Sequence, residues 1–588
     1  MRSIAVPLVA ALSVLSYVPL SAQAPTSGVQ IPRPGTPTGT RAPGMPSPRD
    51  NRGGAASGTA SLRGRVVAAQ TGLPLRRAQV IVTSAEGQLR KVATTDAEGR
   101  YEFVELPSGR FSISALKAGY VTLQYGQRRP SEPGTPVSVA DGERVERIDF
   151  ALQSGSVITV RVTDDFNEPL AGAQIQVQRF QYGQDGQRRL TTAPAGPSFM
   201  NVTDDRGEFR AYGLMPGEYV VGAVVRNIGV ATSPGPLETN DGFAPTYYPG
   251  TVSTAEAQTI SVGVGEERSV QFAMVAARLV RISGTVFNSE GRPAVGAMLS
   301  VVTRQGGGGS TAGGGAVAAD GSFAITGVSP GEHSIDVRPR LGPGETGGEF
   351  ASMPITVSGT DITGLRIVTS KGPTVRGRVV FEGTSPRTNT ATPTPLRVMA
   401  MPADPNSRTM FFGGDPRVNG VVDDNGNFEL ALSTGPVFFI ASTPPSWVVK
   451  SITLDGNDIT NEPFDATGKQ AVSGLVLRLT DKLTQISGRV NDGRGQLVRD
   501  YVVVIQPVEQ KDPLVASRST RTARPDTNGR FETRGMRPGR YIATAIETLE
   551  QGRQFSPEFR EQLRRGAREF SVREGETISL DLTLTPGL

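Results

Sequence analysis

The sequence predicts an all-β chain: a tandem array of about five small antiparallel β-sandwich domains behind a signal peptide and a disordered linker. Three observations predict it. One turn-and-aromatic pattern recurs five times at near-constant spacing. Glycine and proline number 71 and 44 of 588 residues, about one in five against a usual ~12%, as a chain rich in tight turns requires. Between those turns, apolar and polar residues alternate with period two, the mark of a half-buried strand.

Composition also excludes chemistry. The chain has no cysteine and one histidine, His333. Disulfides, thiolate nucleophiles, cysteine-bound zinc and a lipidated N-terminal cysteine are therefore absent. A site needing two or three histidine ligands cannot be built from one chain. The 61 basic and 56 acidic residues are interspersed and the net charge is only +5, which does not describe a nucleic-acid surface.

Residues 1–24 read as a signal peptide. Arg2 precedes an apolar run from Ile4 to Leu20, broken by Pro7 and Pro19, and the small-residue site Ala22-Gln23-Ala24 follows. The alternative is a retained membrane anchor, for which the run is short. No later stretch reaches the ~18 apolar residues of a bilayer span, so none is expected after signal removal. Residues 25–58 carry Pro, Gly, Thr, Ser and Arg with almost no large apolar side chain. Such a segment cannot offset its ordering entropy and reads as a disordered linker.

The repeats follow. Their turns pair an initiating residue with a glycine and then an aromatic: Asp96, Gly99 and Tyr101; Asp204, Gly207 and Phe209; Gly321 and Phe323; Asp423, Gly426 and Phe428; Asp526, Gly529 and Phe531. The third has Ala318 where aspartate is expected. The glycines lie 108, 114, 105 and 103 residues apart, the length of one β-sandwich and too long for a solenoid repeat. In four copies a second glycine comes ten residues after the first, at Gly109, Gly217, Gly331 and Gly539. Two residues beyond stand Phe111, Tyr219, His333 and Tyr541. The aspartate is expected to accept turn N–H groups, the glycine to take a positive φ, and the aromatic to fill the space between sheets. Each copy opens with a strand such as Gly64-Arg-Val-Val or Gly488-Arg-Val-Asn and closes with an alternating pair. The resulting domains are 59–155, 156–277, 278–372, 373–482 and 483–588. A short helix is expected near 556–568, with Phe559, Leu563 and Ala567 inward and Arg560, Arg564 and Arg568 outward.

These motifs resemble the carboxypeptidase regulatory-like domain, a transthyretin-like or immunoglobulin-like sandwich also grouped with carbohydrate-binding-like folds. The Gly-x-Val start, Pro74-Leu-Arg-Arg-Ala-Gln-Val, the Thr-Asp-x-x-Gly-x-Tyr/Phe turn and the Leu-Pro-x-Gly-x-Tyr/Phe turn carry the resemblance. It is clearest over 61–155 and 156–277 and extends, largely by spacing, to 588. It implies a non-catalytic appendage that supports, regulates or binds, and it implies fold far better than function.

Candidate chemistry is sparse. The zinc site of a metallocarboxypeptidase needs more histidine than the chain has. His333 occupies an aromatic slot and reads as a core residue. Ser114-Ala-Leu-Lys117 matches Ser-x-x-Lys by letter but lies on a strand rather than a helix start. Asp164/Asp165, Asp204/Asp205 and Asp423/Asp424 could hold calcium, yet lack the spaced Asp-x-Asp-x-Asp-Gly pattern and suit turns. Gly306–Gly309 and Gly313–Gly315 read as a mobile connection. Tyr247, Tyr248 and Trp447, with Phe411-Phe412, are the aromatics placed to stack on sugar, against a reading as small satellite cores. No catalytic residue, metal or cofactor is expected. The leading function is non-catalytic binding or scaffolding at the bacterial cell envelope, secreted or periplasmic, with carbohydrate as ligand class. The partner is an envelope polysaccharide or a protein. A structural or protein-interaction stalk is the first alternative, and a regulatory subunit of an envelope hydrolase the second.

Overall fold

The computed structural model describes residues 58–587, apart from 85–88, 128–133, 194–200, 226–240, 306–307, 341–347, 387–395, 404–418, 433–434, 445, 467–470 and 510–512. The signal peptide, nearly all of the linker and Phe411-Phe412 lie outside the described residues.

The chain is built almost entirely of strands in small separate sheets. Five larger hydrophobic clusters each draw on one stretch of sequence, within 60–152, 158–274, 280–367, 375–479 and 486–582. The first repeat shows the plan. Strand Ala60–Ala68 pairs antiparallel with Arg100–Leu106 after the Asp-Gly turn. A second sheet joins Gln79–Ser84 to Arg90–Thr94 and to Gly109–Leu116. Alternate residues of both sheets point inward. Val66, Val80, Val82, Tyr101, Phe103, Phe111 and Ile113 thus fill one core.

The sandwiches are antiparallel with one exception in every copy. The opening strand pairs parallel with the closing one, as in Val160 with Val270 and Gly377 with Leu475. Opening and closing strands are separated by the whole domain, so a long crossover is available for parallel pairing. The fourth copy departs further. Its strand Val448–Leu454 joins the first sheet, antiparallel to Ala471–Thr480.

The recurring opening glycine is explained by that parallel partner. A Cβ at Gly64, Gly284, Gly377 or Gly488 would overlap the carbonyl oxygen of Ile148, Leu365, Leu475 or Leu580 respectively. In the first, third and fourth copies the closing strand carries one extra residue there. Ile282 pairs with Ile362 but Gly284 with Leu365. The bulge residues Arg147, Gly364 and Gly474 take positive φ. The second copy has no bulge: its pairing runs unbroken from Val157–Glu267 to Thr163–Ala273. Its residue at this position is Val160, and it is fully buried.

The glycine-rich run forms a strand rather than a mobile connection. Gly308–Ala316 pairs with Met298–Gln305, and residues 306–307 between them lie outside the described residues. Backbone groups alone make this ladder, so the lack of side chains does not prevent it.

Candidate functional site

The turn residues land as their chemistry requires. Gly99, Gly207, Gly321, Gly426 and Gly529 have φ of 75°, 72°, 86°, 84° and 73°. One carboxylate oxygen of Asp204 accepts from the N–H groups of Arg206 and Glu208 at 3.0 and 2.8 Å. Asp423 accepts from Asn425 and Asn427 at 2.9 and 2.7 Å, and Asp526 from Asn528 and Arg530 at 2.9 Å each. Asp96 accepts from Arg100 N–H at 2.7 Å. In the third copy Ala318 cannot accept, and Asp320 takes the Ser322 N–H at 2.9 Å instead. Asp164 serves a turn of the same form after the opening strand of the second copy, accepting from Phe166 and Glu168 at 2.9 and 2.8 Å. These carboxylates are engaged in local turns. The following aromatics pack inward: Tyr101, Phe323, Phe428 and Phe531 are buried, and Phe209 packs partly buried against its core. Tyr101 donates its hydroxyl to Ile148 O at 2.5 Å, and burial pushes its pKa up.

The three aromatics considered for stacking are placed in packing instead. Trp447 is 1% exposed and sits edge-on to Phe381 with ring centroids 4.9 Å apart. Its indole N–H donates to Pro386 O at 3.0 Å, so both its faces and its polar handle are occupied. Tyr247 is 4% exposed and forms a small cluster with Leu190 and Val220. Tyr248, which precedes a cis proline, packs partly buried on the second core, edge-on to Phe272. Their sequence context did not distinguish exposed from packed rings.

Ser114 lies in strand Gly109–Leu116, opposite Ile81, and Lys117 Nζ donates to Arg76 O at 2.8 Å. Neither faces the other in the helical geometry of a Ser-x-x-Lys site.

The late helix spans Pro557–Arg564, capped by Ser556, whose hydroxyl accepts from Phe559 N–H. Phe559 and Leu563 are buried as expected, on Val502, Val504, Ile546 and Leu549. Arg560 is also buried, 7% exposed, and its guanidinium donates to Gln506 Oε1 at 3.1 Å. Arg564 donates to Val508 O at 2.8 Å, and Arg568, beyond the helix, to Asp581 O at 2.8 Å. Of the basic face expected from helical spacing, Arg560 turns inward, while Arg564 and Arg568 stay exposed. A helix Pro513–Ser519, not anticipated, carries Arg518 to the fourth copy.

A concave surface of mixed polar and apolar lining lies between the second and fifth sandwiches. Hairpin Gln174–Tyr182 with Arg188–Thr192 supplies Arg179, Gln181 and Arg188, and Glu218 stands beside them. The connection after strand Gly539–Ile546 supplies Glu550 and Gln551. The Arg188 guanidinium lies 4.8 Å above the Phe180 ring. With its side-chain amide in the orientation that satisfies its neighbours, Gln181 accepts from Arg179 Nε at 2.8 Å and donates to Thr191 Oγ1 at 2.9 Å. The arrangement holds planar donors and acceptors with two cations and two carboxylates, an inventory suited to a neutral polar ligand. Sequence reasoning missed it because its two walls are about 360 residues apart and carry no shared motif.

Residues 61–153 match the carboxypeptidase regulatory-like domain. No curated protein matches the chain. Among solved structures, the chain is similar to the Bacillus anthracis TIE protein at 14% identity, over 54% of this chain and 51% of that one, with a TM-score of 0.15. It thus spans about half the length of that protein. It is similar to the minor pilin GBS52 of Streptococcus agalactiae at 14% identity, over 37% of this chain and 96% of that one, with a TM-score of 0.22. A candidate carbohydrate-binding protein from Pseudomonas aeruginosa matches at 16% identity over 16% of this chain and 90% of that one, with a TM-score of 0.12.

Proposed function

We propose that the chain is a non-catalytic exported protein that binds or scaffolds at the bacterial cell envelope, with carbohydrate as its ligand class. The observation that carries the reading is the division of labour among its polar residues. The recurring aspartates, glycines and aromatics serve turns and cores. The cleft between the second and fifth sandwiches instead gathers Arg179, Gln181, Arg188, Glu218, Glu550 and Gln551 around one concave surface. Amide, guanidinium and carboxylate groups present the paired donors and acceptors that adjacent sugar hydroxyls match. The signal-like residues 1–24 support export, and among the described residues no helix is long and apolar enough to cross a membrane.

A second reading, a protein-interaction stalk, is favoured by the polar lock between the fourth and fifth sandwiches. There Lys450 bridges Glu382 and Glu574 at 2.8 and 2.9 Å. The purified exported chain, applied to a panel of neutral glycans, anionic polysaccharides and peptidoglycan fragments, tests the first reading. Saturable binding to a glycan is expected. Failure to bind any of them, with stable protein partners captured by envelope cross-linking, turns the assignment to the stalk.

A further inference from the structure

We propose that the cleft between the second and fifth sandwiches is a glycan site made in two halves, and that a glycine-lined latch closes it. The ligand class rests on the function proposed above; the closure does not.

The latch is visible at two glycines. Gly186 lies in the turn of the long hairpin of the second sandwich, where Gly183 N–H donates to Gln187 O at 2.8 Å. Tips of this kind normally face water, yet Gly186 is buried. What covers it is the fifth sandwich: a Cβ there would overlap Phe555 O. The contact is reciprocal. Gly552 is likewise buried, and a Cβ there would overlap Tyr182 O. Each backbone approaches the other through a position with no side chain, which only glycine permits. Separately, Arg110 of the first sandwich stands 3.8 Å from Glu532 of the fifth.

The same docking completes the cleft. Arg179, Gln181, Arg188 and Glu218 form one wall without help, but Glu550 and Gln551 reach it only because Gly552 sits against Tyr182. Opening the latch removes one wall. A ligand that touches both walls binds the closed form better and shifts the population toward it. Two arginines against two glutamates leave the cleft balanced in charge, which favours a neutral oligosaccharide over a polyanion.

The test uses the full exported chain. Gly186→Asn and Gly552→Asn each place a side chain in the contact while keeping a residue that tolerates positive φ. Small-angle scattering is expected to report a larger radius of gyration for both, with unchanged circular dichroism. Affinity for the neutral oligosaccharide picked from the panel is expected to fall about tenfold if the closed fraction falls to about a tenth. Arg188→Ala with Glu550→Ala is expected to weaken that affinity without opening the chain. An unchanged radius of gyration in both asparagine variants overturns the latch. Variants that open yet bind as the parent does show that the cleft is not the site. A parent chain that binds no glycan while the variants still open overturns the ligand class and leaves the latch standing.

Discussion

His333 stands two residues after Gly331, in the slot filled by Tyr219 and Tyr541 in other copies. Those tyrosines donate to the carbonyl four residues upstream, Met215 O at 2.6 Å and Arg537 O at 3.0 Å. His333 reproduces the bond, with Nε2 at 2.8 Å from Ser329 O. A carbonyl only accepts, so Nε2 carries the proton and Nδ1 accepts from Thr303 Oγ1 at 3.2 Å. In these three copies the slot holds a ring with a donor at its far edge, whereas the first copy fills it with Phe111. Burial holds the His333 pKa below its ordinary value. The unfolded chain then binds the extra proton first, so stability is full above about pH 6.5 and falls as pH drops below it toward the folded pKa. Hydrogen-exchange protection factors in strands Met298–Gln305 and Gly331–Arg338, taken relative to the intrinsic rate at each pH, are expected to fall between pH 7 and 5. His333→Tyr is expected to remove that dependence while keeping the upstream bond.

At the scale of the element, the opening strand and its parallel partner decide which residues are allowed. In the first, third, fourth and fifth copies a carbonyl of the closing strand lies over the opening strand and glycine is required, with a bulge in three of them and without one in the fifth; in the second copy Val160 fits and fills the core. Gly284→Ala is expected to destabilise the third sandwich by roughly 1–3 kcal/mol, the usual cost of overpacking a tight site. Hydrogen-exchange protection in Val280–Phe287 and Ile362–Val368 measures it, and a wild-type pattern would count against the close approach. The late helix teaches the converse. Its apolar stripe was legible from spacing, but Arg560 was assigned to water by the same rule. Gln506, from a strand distant in sequence, supplies a partner that no helical periodicity records.

At the scale of the molecule, the fourth and fifth sandwiches are tied by polar contacts among the described residues. Arg518 lies 4.5 Å above the Phe438 ring and donates to Phe439 O at 3.1 Å. Arg537 donates to Asn461 Oδ1 at 2.7 Å, and Glu574 accepts from both Lys450 and Thr480. Lys450 holds the Glu382 and Glu574 carboxyls below their ordinary range, and they hold its ammonium above its own. The fourth and fifth sandwiches are therefore expected to unfold together. Arg518→Ala, which removes both the ring contact and the bond to Phe439, is expected to split that shared calorimetric transition into two.

The sequence by itself determined the class of fold, the turn chemistry and the inward aromatics. Each of these rests on contacts within a few residues or on a simple period, and five copies repeat the signal. It also placed the resemblance to the carboxypeptidase regulatory-like domain where residues 61–153 match that family. Tertiary structure alone decided the rest: the parallel closing strand and its bulge, the burial of Trp447 and Tyr247, the inward turn of Arg560, and the cleft between the second and fifth sandwiches. The physical reason is common to all four. Each depends on a group brought close by packing from far along the chain, and side-chain type records neither its distance nor its direction.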